Sequence, residues 1–167
     1  PAARLPNGLP VDGDDVWWAE SRPDNGGRTT LVRWRDGSAQ DVTPPEANVR
    51  TSVHEYGGGA WWAADGVAYY SEFGDQRLRR IEPGSEPVLL TAEPAVPRGL
   101  RYADGRPTPD NQWYVCVHER HGDGEPVNEI VAVATDGSMR TEVIASGADF
   151  YAAPRVSPDG RSLVWIQ

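Results

Sequence analysis

The segment Asp110-Asn111-Gln112-Trp113-Tyr114-Val115-Cys116 joins a tight turn to an apolar, aromatic-rich run. Three other segments have the same form, at residues 12–18, 65–70 and 159–165. Their leading aspartates recur about every 50 residues. Repetition at this period predicts a row of similar supersecondary units, each built around one such turn and strand.

A second series of strands lies between these segments. The runs at 31–34, 78–81 and 130–133 each end near a turn of the type Asp-Gly or Pro-Gly. Each turn leads into a further short strand, and these strands are predicted at 41–43, 87–90 and 142–144. The order strand, strand, turn, strand therefore repeats along the chain, and no window shows convincing helical periodicity.

The repeat predicts an all-β fold, a partial β-propeller with between three and four blades of about four antiparallel strands. Runs such as 162–166 are apolar on both faces and need cover from both sides, which stacked blades provide. A β-sandwich is the main alternative, but it gives no reason for the long period. Blade boundaries are expected near residues 45–58, 93–99 and 146–151.

The chain is expected to be only a part of its propeller. Propellers close with about four to eight blades, and the sequence stops within an apolar run at residues 165–167. We therefore expect residues 1–167 to form the N-terminal part of a β-propeller domain whose remaining blades lie in the same polypeptide.

Composition excludes several classes of partner. The net charge of −9 would repel a phosphate backbone, so no nucleic-acid partner is expected. No apolar run reaches the roughly 18 residues that span a bilayer, so no membrane partner is expected. The single cysteine, Cys116, lies in an apolar run and is predicted to be a small core residue. Because nothing indicates an oxidising compartment, a cytoplasmic location is expected.

Local motifs add a family resemblance to the repeat. The turn Ser157-Pro158-Asp159-Gly160-Arg161 resembles the blade motif of TolB-like and prolyl-oligopeptidase-type propellers. Four further stretches, at 18–28, 49–59, 125–130 and 146–155, sharpen this likeness. In this order the motifs resemble the N-terminal propeller of prolyl oligopeptidase family serine peptidases of the bacterial acylaminoacyl-peptidase or dipeptidyl-peptidase-like type.

The resemblance implies a two-part enzyme that hydrolyses short peptides. In this family a propeller caps an α/β-hydrolase domain with a Ser-Asp-His triad and restricts access to it. The sequence has no Gly-x-Ser-x-Gly nucleophile elbow, so the hydrolase domain is absent from this chain and no catalytic residue is assigned. The partners implied are the remaining blades, the hydrolase domain of the same polypeptide and a peptide substrate, and no cofactor is expected.

Two segments are candidates to face the substrate. Arg50, His54, Glu55 and Tyr56 precede three consecutive glycines, and Glu55 or Arg50 offers a charge to a peptide terminus. The alternative is a structural connection between blades, in which the glycines only permit turning. The second segment, Asp149, Phe150 and Tyr151, precedes a blade, and its aromatic rings either line the channel or pack between blades.

A group of histidines and acids raises the question of a metal. His118, Glu119, Arg120 and His121 are followed by Asp123 and Glu125, but their spacing is not typical of a metal site. We expect solvated loop charges here and assign no metal ligand.

Two other functions remain open from the sequence. One is a stand-alone TolB-like propeller that serves as a protein-binding platform. The other is a metal-dependent propeller enzyme such as a lactonase, which needs acidic ligands around the axis. A coding sequence that ends once the blades close would favour the first, and bound calcium would favour the second.

Overall fold

The computed structural model describes residues 5–167, with side chains from residue 8 onward, and residues 1–4 lie outside it. The described chain is almost entirely antiparallel β-structure, with one 3-10 turn at Pro23–Asn25. Its strands are β1 (Leu5–Asn7), β2 (Val11–Asp12), β3 (Asp15–Arg22), β4 (Arg28–Arg35), β5 (Ser38–Asp41), β6 (Trp61–Ala64), β7 (Val67–Ser71), β8 (Leu78–Ile81), β9 (Val88–Leu89), β10 (Leu100–Pro107), β11 (Trp113–Arg120), β12 (Val127–Ala134), β13 (Thr141–Ser146), β14 (Ala152–Val156) and β15 (Leu163–Ile166).

These strands form four sheets in the described residues. The first has the order β1-β3-β4-β5 with β2 beside β3, the second is β6-β7-β8-β9, the third is β10-β11-β12-β13, and the fourth is the pair β14-β15. Residues 42–60, 90–99 and 147–151 connect one sheet to the next. The prediction of an all-β partial propeller is confirmed.

The repeated sequence segment marks the same place in every sheet. Its turn precedes β3, β7, β11 and β15, and its apolar run forms those strands. The hairpin of Asp65 and Gly66 shows the turn chemistry, because both residues have positive φ, at 51° and 77°. A two-residue loop of this conformation matches the right-handed twist of the strands that it joins.

The last strand of the first sheet differs from its predicted position. The strand predicted at 41–43 ends as β5 at Asp41. Val42 N–H still donates to the carbonyl oxygen of Leu31, but the return bond is made by the side chain of Thr43 and not by the backbone. The backbone N–H of Leu31 donates to Thr43 Oγ1 at 3.2 Å. In the second sheet the N–H of Leu78 donates to Thr91 Oγ1 at 3.1 Å, so the same ending recurs in the repeat.

Apolar layers between neighbouring sheets form the core. Trp17 and Leu31 of the first sheet pack with Tyr70 of the second, whereas the adjacent Tyr69 faces the third. The Tyr69 ring stacks on that of Tyr114 with centroids 4.7 Å apart. Successive side chains of a strand point to opposite faces, so a strand with a sheet on either side is apolar at every position.

Cys116 is fully buried in the layer between the second and third sheets, as predicted. Burial raises the pKa of its thiol, because a thiolate would lose its hydration there. This cysteine is therefore part of the packing and is kept in its unreactive, protonated form.

Candidate functional site

The connection between the first two sheets folds back on the third sheet and is fixed there by a buried carboxylate. Glu119, on β11, is 3% exposed, and its Oε2 accepts the backbone N–H of His54 at 2.8 Å. His54 and Glu55 both have positive φ, at 55° and 63°. Such conformations are uncommon in residues other than glycine, and the tertiary contacts hold them here.

Glu55, one of the predicted substrate-facing residues, already has a partner. Arg101 Nη1 lies 2.6 Å from Glu55 Oε1 and 3.1 Å from Glu119 Oε1. The hydrogen bond from Arg101 holds the pKa of the Glu55 carboxyl below its usual range. His121 Nε2 lies 2.5 Å from the same Glu119 oxygen. We call these four residues the paired cluster.

The paired cluster includes a group of side chains that could hold a metal ion. The ligand atoms of Glu55, Glu119 and His121 lie within 4.8 Å of one another. Arg101 is bonded to both carboxylates, however, and its guanidinium supplies the positive charge that a metal ion would supply. The prediction of solvated loop charges is wrong for His118 and Glu119, because both lie on β11 and are buried, whereas Arg120 at the end of this strand is exposed.

The second predicted segment packs against the first. The His54 ring stacks on Phe150 with centroids 4.3 Å apart, and His54 Nε2 lies 3.2 Å from the carbonyl oxygen of Tyr151. Tyr151 is 2% exposed and Phe150 is 46% exposed. Asp149 is exposed, and its carbonyl accepts a hydrogen bond from Asn128. Tyr151 thus packs between sheets, whereas Phe150 and Asp149 reach the surface.

A cavity of about 570 Å³ lies on the other side of the glycine segment. The first strand, or the connection next to it, borders this cavity in all four sheets, which is where a closed propeller has its central channel. We call it the inner cavity. Its wall includes Gly8, Pro10, Arg50, Tyr56, Gly57, Gly58, Gly59, Trp61, Trp62, Asp104, Arg106 and Arg155. Of the predicted residues, Arg50 and Tyr56 reach it, and Tyr56 is 94% exposed.

Asp104 shapes the wall of the inner cavity. It has a φ of 59° and lies in a bulge of β10 between Ala103 and Arg106. Its Oδ1 accepts the N–H of Gly59 at 2.6 Å and its Oδ2 accepts the N–H of Ala153 at 3.2 Å. A Cβ atom at Gly59 would lie 2.8 Å from Oδ1, so this glycine is required for the close approach. The carboxylate thereby joins the third sheet, the fourth sheet and the connection that precedes β6.

Two arginines, Arg106 and Arg155, lie next to this bulge. The Arg106 guanidinium lies over the Trp62 ring, 3.4 Å from its centroid, and Nη1 donates to the carbonyl of Gly105. Burial, together with the positive charge of Arg155, lowers the pKa of Arg106 to about 10. Among the residues that the structure describes, Arg155 Nη1 donates only to backbone carbonyls, those of Asp104 and Pro154.

The residues Asp104, Arg106 and Arg155 were not predicted as site residues. An Asp-Gly pair elsewhere in the chain marks a turn, and Asp104-Gly105 falls inside an otherwise strand-like run. An Asp-Gly pair within a strand is a signal for a bulge, and a bulge redirects the side chains on either side of it. That signal was available in the sequence.

Solved structures of other proteins are similar to nearly the whole chain. One is a Mycobacterium tuberculosis puromycin-hydrolyzing peptidase, with 38% identity over 97% of this chain and a TM-score of 0.89. Puromycin hydrolase has 36% identity over 98% of the chain and a TM-score of 0.88. A puromycin hydrolase mutant complexed with PGG has 37% identity over 98% and a TM-score of 0.89. These matches confirm the resemblance predicted from the sequence.

The chain spans little more than a quarter of these proteins, 27% of the first and 28% of the other two. No family model and no curated protein matches the chain. In the part of the chain that the structure describes, no helix has the length and apolar character needed to cross a membrane.

Proposed function

We propose, from the premise that this chain matches the propeller portion of prolyl oligopeptidase family peptidases, that it covers a catalytic domain and limits which substrates reach it. The proposed catalytic domain is an α/β-hydrolase with a Ser-Asp-His triad, carried by the same polypeptide outside residues 1–167. The chain itself contributes no catalytic group. The observation that carries the proposal is the match at 36–38% identity over almost all of the chain.

The geometry supports a role in access. All four sheets border the inner cavity, and its wall combines aromatic rings with charged groups. A passage of this kind admits a flexible chain of a few residues and excludes a folded protein, whose diameter is that of a whole domain. Short peptides are therefore the proposed substrates. Puromycin joins them in this proposal, because the similar proteins are a puromycin-hydrolyzing peptidase and puromycin hydrolase.

The proposal includes a cytoplasmic location. The one cysteine of the chain is a buried core thiol, so these sheets are stabilised without disulfides. Cell fractionation with an antibody against the chain tests this point, and recovery in the secreted fraction would contradict it.

The first experiment compares the complete polypeptide with residues 1–167 alone. The complete polypeptide is expected to hydrolyse puromycin and a chromogenic aminoacyl substrate, and the isolated chain is expected to hydrolyse neither. A complete polypeptide that folds but hydrolyses neither would overturn the peptidase proposal and favour the protein-binding platform. Hydrolysis by the isolated chain would show that it is catalytic itself.

The second experiment tests the limit on substrate size. The same cleavable dipeptide is placed in a short peptide, in a longer unstructured peptide and in an exposed loop of a folded protein. Hydrolysis by the complete polypeptide is expected for the short peptide and is expected to be lost for the loop. Equal rates for all three would contradict a role in access, while leaving the peptidase proposal intact.

A further inference from the structure

The arginines of the inner cavity lack the ion pairs that several other arginines of the chain form with described carboxylates. Many described arginines form ion pairs with carboxylates, among them Arg22, Arg35, Arg79 and Arg101. Arg50, Arg106 and Arg155 form none with any described residue. The residues that line the cavity therefore include three arginines without a carboxylate partner among the described residues, in a chain whose net charge is −9.

The one carboxylate of the cavity wall does not neutralise them. Both oxygens of Asp104 accept backbone N–H groups, from Gly59 and Ala153, and these bonds hold the carboxylate against the backbone. The Arg155 guanidinium donates to the backbone carbonyl oxygen of Asp104, at 3.3 Å, and not to the Asp104 carboxylate. Two of the three positive charges would remain uncompensated even if the full charge of Asp104 were counted against them.

The guanidinium groups are also held in place with donors to spare. Each guanidinium has five N–H donors. Arg106 is stacked on Trp62 and uses Nη1 for one carbonyl, and Arg155 uses Nη1 for two. Arg50 lies over the Phe73 ring, 4.7 Å from its centroid, without a side-chain hydrogen bond to any described residue. A stacked arginine with free donors is arranged for a planar anion that binds through two oxygens.

The electrostatic environment of Arg106 also favours a bound anion. Arg106 is half-buried, and Arg155 lowers its pKa further by repulsion. A bound anion would remove that repulsion and replace the lost hydration of the guanidinium, because opposite charges attract most strongly where water is partly excluded.

We propose that the inner cavity binds a carboxylate of the peptide substrate through Arg106 and Arg155, with Arg50 at its margin. The carboxylate is either the free C-terminus of the peptide or an acidic side chain. This proposal specifies one chemical group of the substrate, and it therefore rests on the proposed peptidase function. It selects peptides by charge, in addition to the selection by size.

The test uses the complete polypeptide and three versions of one fluorescent tripeptide. The first has a free C-terminal carboxylate, the second has a C-terminal amide, and the third has the amide and a glutamate in place of a neutral residue. Binding is measured by anisotropy with the nucleophile chemically blocked. The free acid is expected to bind about tenfold more tightly than the neutral amide, and the advantage is expected to shrink as salt rises.

Two variants and a matched control connect this advantage to the cavity. Arg106→Met combined with Arg155→Met is expected to reduce binding of the free acid to that of the neutral amide and to leave the amide unchanged. Arg155→Met alone, at an exposed residue, guards against misfolding and is expected to lose part of the advantage. Arg161→Met removes the same charge on the exposed turn before β15, outside the cavity, and is expected to change nothing.

The third peptide identifies the source of the carboxylate. Tight binding of the free acid alone assigns the C-terminus, and tight binding of the glutamate peptide alone assigns an acidic side chain. Equal binding of all three peptides, or an advantage that survives the double variant, would overturn the proposal. Hydrolysis of the neutral amide by the unblocked protein is measured separately, so a failure of the peptidase function is distinguishable from a failure of the carboxylate site.

Discussion

The paired cluster and the inner cavity lie on either side of residues 50–59, within the connection between the first two sheets, and their charged groups have different partners. In the paired cluster each group has a partner, and buried Glu119 joins Arg101, His121 and the backbone of His54. In the inner cavity, within the described part of the chain, Arg106 and Arg155 contact only carbonyl oxygens and a tryptophan ring. The comparison separates charges that hold the sheets together from charges that are available to a ligand.

The largest effect is expected from a substitution at Gly105, in the β10 bulge that shapes the wall of the inner cavity. A Cβ atom at this position would lie 2.0 Å from Cε1 of the buried Tyr114 ring, which cannot move within the packed layer. We expect Gly105→Ala to lower the free energy of unfolding by about 3 kcal/mol or more. Chemical denaturation measures this loss. Gly122→Ala, where a Cβ meets nothing within 4 Å, is the matched control. Equal stability of both variants would show that the β10 bulge is placed wrongly.

Glu119 provides the corresponding test of the paired cluster. Glu119→Gln keeps the shape but removes the charge that Arg101 and His121 share, and we expect a loss of about 2 kcal/mol in the free energy of unfolding. Glu55→Gln, at the exposed end of the same cluster, is expected to lose much less, because solvent screens that pair. A Glu55 variant as destabilised as the Glu119 variant would contradict the assignment of Glu119 as the centre of the cluster.

The smallest expected effect is on the pH dependence of the free energy of unfolding. His118 lies beside Glu119 on β11, stacks on Tyr102, and has no hydrogen-bond partner for its buried Nε2 among the described residues. Burial, although opposed by the hydrogen bond with Glu129, lowers the pKa of the His118 imidazole. The unfolded chain therefore binds a proton more readily than the folded one, and stability is lost as the pH falls below about 6.5.

His118→Gln is expected to reduce this dependence. The measurement is the free energy of unfolding of both proteins from pH 8 to pH 5, on the same buffer series. The variant should show a shallower decline below neutrality. Parallel curves for the two proteins would mean that His118 is not the group that titrates.

The strands were predictable because their signals are local. An Asp-Gly pair between two apolar runs predicts a hairpin, as at Asp65-Gly66. The adjacent aromatic residues Tyr69 and Tyr70 indicate that a sheet covers each face of β7. The position at which β5 ends was not predictable from propensity, because Thr43 replaces a backbone acceptor only once the neighbouring strand is in place.

The candidate site was predictable only in part. Residues near the three glycines are recognisable in the sequence as a candidate segment, but sequence alone does not show which charges meet. Arg101 binds both Glu55 and Glu119, and these two contacts span 46 and 18 residues of sequence. Arg106 and Arg155 come together only when the first strands of different sheets meet at the cavity. Whether the predicted residues face a substrate stays a prediction.

A crystal structure of the complete polypeptide is the most direct test of the difference between the two regions. We expect the sheets described here to form blades of one propeller, with Glu119 still bound to Arg101. We also expect Arg106 and Arg155 to line an open channel, with no carboxylate of the polypeptide within about 4 Å of either guanidinium. An aspartate or glutamate from the rest of the polypeptide paired with both arginines would contradict the account, because the inner cavity would then be as fully paired as the cluster beside it.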